Sequence, residues 1–196
     1  MSSKSERVKQ GDFFNTCSTC GTGFSCCFGT RPPLTRERRR IIKRYLKEHG
    51  IMIGNPFATD VDKYVYPKEK ADGFCIFHDC GSKRCLIHTV KPETCVAGPI
   101  TFDINRKQGK IEWFIKMETI CPLAGIIRSN EKLLQDHLSA ARQQIMRLVN
   151  KLETEELDAI LLKEEPETIK IGEEDIGTNI LERHNRTWRA GLKGHS

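Results

Sequence analysis

Sulfur carries the first chemistry in this chain. The run Cys17-Ser-Thr-Cys20-Gly-Thr-Gly-Phe-Ser-Cys26-Cys27 places four thiols within eleven positions. Gly21 and Gly23 let the backbone between them turn tightly. A second set follows downstream: Cys75, Cys80, Cys85, Cys95 and Cys121. A Cys-x-x-Cys pair with further thiols at long range has the spacing of a metal site. Two side chains three residues apart reach one ion across a short turn, and the distant thiols close the loops around it. Thiolates are soft ligands, and four of them suit zinc or an iron–sulfur cluster. Zinc takes its four in a tetrahedron, and the common clusters also take four. Eight or nine thiols are enough for two such sites. The adjacent Cys26 and Cys27 point apart in an extended chain and could serve separate centres. The total of nine is odd, so disulfides cannot pair them all.

Histidine is the other candidate ligand. His78 and His88 flank Cys80 and Cys85, and Cys85-x-x-His88 has ligand-like spacing. His137, His184 and His195 read as solvated helix or tail residues. No Ser-His-Asp order and no Gly-rich phosphate loop stands out. Arg36, Arg38, Arg39, Arg40, Lys43, Arg44 and Lys47 form a basic run. Cations on one helix face attract phosphates. Few aromatics interleave this run, so nucleic acid is a possible partner but not the favoured one.

The elements that must position the sulfurs are partly legible. Thr35 is a candidate N-cap with Glu37 in the first turn, and Ile41, Ile42, Tyr45 and Leu46 recur at helical spacing up to the stop at Gly50. Tyr64-Val-Tyr66 suggests a short strand. Phe74 to Phe77 and Arg84 to Ile87 suggest two more around a turn. Ile100 to Ile104 and Lys110 to Lys116 alternate apolar and polar residues, the pattern of a hairpin with one buried face. Ser129 is a candidate cap for a long helix over about 130–151. Its stripe, Leu134, Leu138, Ala141, Ile145, Leu148 and Leu152, is set to pack on the cysteine domain or on a partner helix. A second helix runs from Thr154 to about Glu164, ended by Pro166. Residues 167–196 show no strong pattern.

The chain has 196 residues and a net charge of +6. That length fits one domain with an extension. Residues 1–10 are polar and charged, without the apolar core of a secretion leader. No apolar run approaches the ~18 residues of a membrane helix. These features favour a reducing cytoplasm, where thiolates bind metal rather than oxidise.

Taken together, Cys17-x2-Cys20-Gly, Cys26-Cys27, the helix entry at Leu34-Thr35, Cys85-x-Ile87-His88-x2-Lys91-Pro92-x2-Cys95-x3-Pro99 and Cys121-Pro122 resemble the cysteine-cluster (CxxCxxCC, YkgJ-type) family. The resemblance covers roughly residues 13–125. That family is described as a zinc- or iron-chelating domain with eight cysteines. It implies Cys17, Cys20, Cys26, Cys27, Cys75, Cys85, Cys95 and Cys121 as ligands and leaves Cys80 over, as a ninth ligand, a spare exchange thiol or, the reading preferred here, a buried small residue. His88 stands where the family has an aromatic, which implies packing beside the centre. Lys91, Val96 and Gly98 are further departures that leave the thiols intact. The family is similar in turn to the flagellin lysine N-methylases, which implies a protein-modifying enzyme as an alternative.

The expectation is a small α+β fold: a cysteine-rich metal-binding core with short strands, plus a helical C-terminal extension. Its parts are a disordered 1–12, a cysteine-cluster domain over 13–125, helices over 126–166 and a tail over 167–196. The expected function is metal binding, by zinc or an iron–sulfur cluster, in a cytoplasmic binding or electron-transfer module of a larger system, with a protein partner on the C-terminal helices. The alternatives are the methylase-like enzyme and a zinc-stabilised nucleic-acid-binding module.

Overall fold

The computed structural model describes residues 26–59, 64–163, 167–177 and 180. Expectations for residues 1–12, for Cys17 and Cys20, and for His184, His195 and the rest of the chain beyond 180 lie outside the described residues.

Helix α1, Arg36–Glu48, starts where its cap requires. Thr35 is extended, and its hydroxyl accepts from the Arg38 amide at 3.1 Å. The helix buries Ile42 and Leu46 against Leu34, Phe77 and Ile87. It ends at His49, and Gly50 follows at φ +63°, the left-handed conformation that glycine adopts without strain. The strand expected at Tyr64 to Tyr66 is β2, Val65–Pro67, and it pairs antiparallel with β1, Phe57–Thr59. The two strands expected at 74–77 and 84–87 are shorter and shifted. They are β3, His78–Asp79, and β4, Arg84–Cys85, with His78 opposite Cys85. Phe74 and Cys75 instead bridge to Phe28 and Glu69. A 3-10 turn, His88–Val90, then leads into α2, Glu93–Ala97.

The larger core lies under an antiparallel sheet. Strands β5, Ile100–Asn105, and β6, Lys110–Lys116, form the expected hairpin. The register sets Ile100 opposite Ile115, Phe102 opposite Trp113 and Ile104 opposite Ile111. All six are buried, because residues directly opposite in a ladder share one face. The tail reading needs correction here. Thr168–Asp175 is a third strand, β7, antiparallel to β6 with an irregularity at Trp113/Phe114. It carries four charged residues and lies half exposed at the sheet edge, so apolar alternation could not reveal it.

Three helices cover the buried face of this sheet: α3, Pro122–Arg128; α4, Glu131–Val149; and α5, Thr154–Leu161. The apolar stripe of α4 and Leu152 pack against the hairpin within the chain itself. Ser129 does not cap α4. It closes α3, and Asn130 caps α4 by accepting from the Leu133 amide at 3.1 Å. Two helices meet at adjacent polar residues, and only the backbone angles show which residue serves which helix. The protein is thus α+β, with short strands around the cysteines and helices toward its C-terminal part.

Candidate metal centre

Of the eight cysteines implied as ligands, the described residues contain Cys26, Cys27, Cys75, Cys85, Cys95 and Cys121. Each comes from a different local device. The Cys75 amide donates to the Cys27 carbonyl at 2.8 Å, and the Gly29 amide donates to the Gly73 carbonyl at 3.0 Å. These bonds lock the end of the N-terminal cysteine run to the segment around Cys75. Cys85 ends β4 and packs, like Cys75, on the apolar cluster under α1. Cys95 sits in the short helix α2. Cys121 is the N-cap of α3, directly before Pro122, which fits the first helical position because no amide is needed there.

Electrostatics tie four of these together. Burial pushes the Cys75 thiol up to about 11, and the neighbouring Cys85 and Cys26 add to the rise. At Cys95, burial again acts first and holds the thiol well above its ordinary value. The Cys26 sulfur raises it further, the Lys91 ammonium pulls it down, and Cys85 and Cys75 push it up again. Cys26, Cys75, Cys85 and Cys95 therefore lie within each other's fields. Ionising several neighbouring thiols together is opposed unless positive charge arrives with them. Cys26 and Cys95 also line a cavity of about 1120 Å³, whose wall includes Cys121, Lys91, Thr94 and His137.

The donor set, several sulfurs from distant segments, has the chemistry of a soft-metal site. Among the described residues, no group of three or more His, Cys, Asp or Glu side chains is placed to hold an ion. Cys17 and Cys20 lie outside those residues. Of the expected ligands, Cys26, Cys75, Cys85 and Cys95 influence one another, and Cys121 lies on the cavity wall.

Two sequence readings are overturned here. Cys80 is exposed rather than buried. Its sulfur lies 2.9 Å from Lys70 Nζ and 3.7 Å from Asp72 Oδ2, at the tip of the β3–β4 hairpin. His137 is buried rather than solvated. Its Nε2 lies 3.1 Å from the carbonyls of both Ala97 and Gly98, so it holds the exit of the helix that carries Cys95. Sequence reasoning also missed a buried ion pair. Arg38 Nε donates to Glu93 Oε1 at 3.0 Å, joining α1 to the first turn of α2. A lone arginine in a basic run gives no hint of it.

The basic run itself divides by face. Arg38 turns inward, while Arg36, Arg40, Lys43, Arg44 and Lys47 are exposed. Among the described residues, no helix is long and apolar enough to cross a membrane.

The profile of the CxxCxxCC family, described as a "putative zinc- or iron-chelating domain", matches residues 16–122, more than half of the 196. No curated protein and no solved structure matches the chain.

Proposed function

Because the chain belongs to the CxxCxxCC family of zinc- or iron-chelating domains, we propose that its cysteines hold a zinc ion or an iron–sulfur cluster, and that the protein serves as a binding or electron-transfer module of a larger system. The observation that supports this reading is the mutual influence of Cys26, Cys75, Cys85 and Cys95, which come from separate segments of the chain. When bound, zinc would supply a structural cross-link and a cluster would supply one-electron chemistry. The chain's own part would be to bring the sulfurs together, to shield Cys75 and Cys95 from water, and to keep a positive charge, Lys91, near Cys95. A partner in that larger system would meet the polar outer face of α4, where Lys132, Gln135, Ser139, Gln143 and Arg147 are exposed.

Oxygen-free purification followed by metal analysis tests the reading. Stoichiometric iron with visible absorbance that dithionite bleaches identifies a cluster. A colourless protein with stoichiometric zinc identifies the other centre. A folded protein that carries neither, and takes up neither on reconstitution, removes the proposal.

A second reading rests on the exposed stripe of α1. Arg36, Arg40, Lys43, Arg44 and Lys47 recur at one-turn spacing, a geometry that could follow a phosphate backbone. It predicts RNA or DNA binding that falls steeply with salt and is lost when Arg40, Lys43 and Arg44 become Ala. Binding that is absent at low salt excludes it.

A further inference from the structure

His78 is a buried polar group that the metal reading leaves unexplained. It is only 9% exposed, yet its Nδ1 is enclosed and has no hydrogen-bond partner. Buried polar atoms in native proteins are nearly always paired, so such an orphan needs a physical reason. The surroundings fix where the ring sits. Its face stacks on Phe74, with centroids 4.4 Å apart and planes 17° from parallel. Its backbone amide donates to the Cys75 carbonyl at 2.8 Å, and its own carbonyl accepts from Lys70 Nζ at 3.0 Å. The β3–β4 register then sets His78 directly opposite Cys85. Opposed residues share one face, with Cβ atoms about 4.5–5.5 Å apart. The imidazole thus shares a strand face with Cys85, one of the sulfurs that would bind metal.

We propose that His78 is a positioning residue of the metal centre, whose Nδ1–H donates to the Cys85 sulfur once that sulfur is a metal-bound thiolate. The inference rests on Cys85 being a ligand, as argued above. A protonated thiol is a weak acceptor, whereas a thiolate is a strong one. The missing partner of Nδ1 is therefore a species that exists only with the metal in place. A donor of this kind fixes the ligand and tunes its basicity, and loss of such outer partners weakens metal binding about 10–100-fold.

The test measures zinc affinity by chelator competition for the wild type, His78→Phe, His78→Asn and Cys85→Ser. Phenylalanine keeps the stack on Phe74 and removes the donor. Asparagine restores an N–H near the Nδ1 position. The expected result is a loss of about tenfold or more for His78→Phe, with most of it recovered by His78→Asn. Heteronuclear NMR on zinc-loaded protein with labelled histidine is expected to show the proton on Nδ1. Unchanged affinity in His78→Phe overturns the proposal. So does an equal loss in both His78 variants, which would mean packing alone. Metal-to-nitrogen coupling in the cadmium-loaded protein also overturns it, by making His78 a ligand. Failure of the metal reading looks different: the wild type binds no zinc, or Cys85→Ser binds as tightly as the wild type.

Discussion

Arg38 Nε and Glu93 Oε1 meet at 3.0 Å with both side chains almost wholly shielded from water. Arg38 Nη2 donates to Gln144 Oε1 at 3.4 Å on α4. One guanidinium thus pins together the helix that follows the N-terminal cysteines, the helix that carries Cys95, and the helix under the sheet. Removing one partner leaves the other as a buried, uncompensated charge, at a cost of about 3–5 kcal/mol. Arg38→Ala is expected to lose that much in urea unfolding. The double variant Arg38→Met/Glu93→Leu is expected to recover most of it. A loss under 1 kcal/mol in Arg38→Ala would show the pair to be solvated.

Single serine substitutions separate the sulfurs by role. Cys75→Ser, Cys85→Ser and Cys95→Ser are expected to lower bound metal and to reduce thermal stability together, because metal binding in such domains is folding free energy of about 10 kcal/mol. Cys80→Ser is expected to leave both unchanged, since Cys80 is exposed at a hairpin tip among Lys70 and Asp72. Metal content and melting temperature of the four proteins check this. Loss of metal in Cys80→Ser would place it among the ligands.

Proton release follows from the thiol environment. Burial first, and then Cys85 and Cys26, hold the metal-free Cys75 thiol at about 11, so near neutral pH it still carries its proton. Cys95 is pushed in the same direction by the same first cause. Metal uptake must expel these protons, so affinity is expected to rise with pH throughout the range below 11. Calorimetry in buffers of different ionisation enthalpy reads the released protons directly. Zinc uptake without proton release would contradict the burial of these thiols.

Acid sensitivity is predicted at the sheet edge. Glu173 pairs with Lys110 and, at 2.6 Å, with Lys170, and these bonds depress its carboxyl from 4.5 to about 2. Its folded value lies below its unfolded one. Its stabilising contribution is therefore full above 4.5 and drains away as pH falls toward 2. Urea midpoints measured across that interval are expected to fall less steeply in Glu173→Gln than in the wild type. Parallel acid limbs would show that the pairs do not persist in solution.

What the sequence revealed, and what it hid, follows from the range of each signal. Thr35 and the alternation through Phe102, Ile104, Ile111 and Trp113 are local patterns, and the cap and the hairpin register stand where they point. Strand β7 was hidden because its charges are matched across strands, Glu173 with Lys110, and Glu174 with the Trp113 indole at 3.0 Å. Only the fold supplies those partners. His137 misled for the same reason: the carbonyls that accept it come from residues 97 and 98, far upstream. The cysteine spacing marks a metal-binding domain, as the family match shows. It does not show which sulfurs feel one another, because that depends on hydrogen bonds between backbone segments such as Cys75 to Cys27.

The hairpin straddles a boundary that the cysteines do not respect. The family match ends at residue 122, but the greasy underside formed by Ile111, Trp113 and Ile115 is roofed by residues synthesised afterwards. A fragment harvested at that limit would carry every cysteine and still lack its lid. It would stick to its neighbours and clump before it could be loaded. Anyone wishing to transplant the sulfur-bearing half must bring the later helices and the closing strand along as its built-in chaperone.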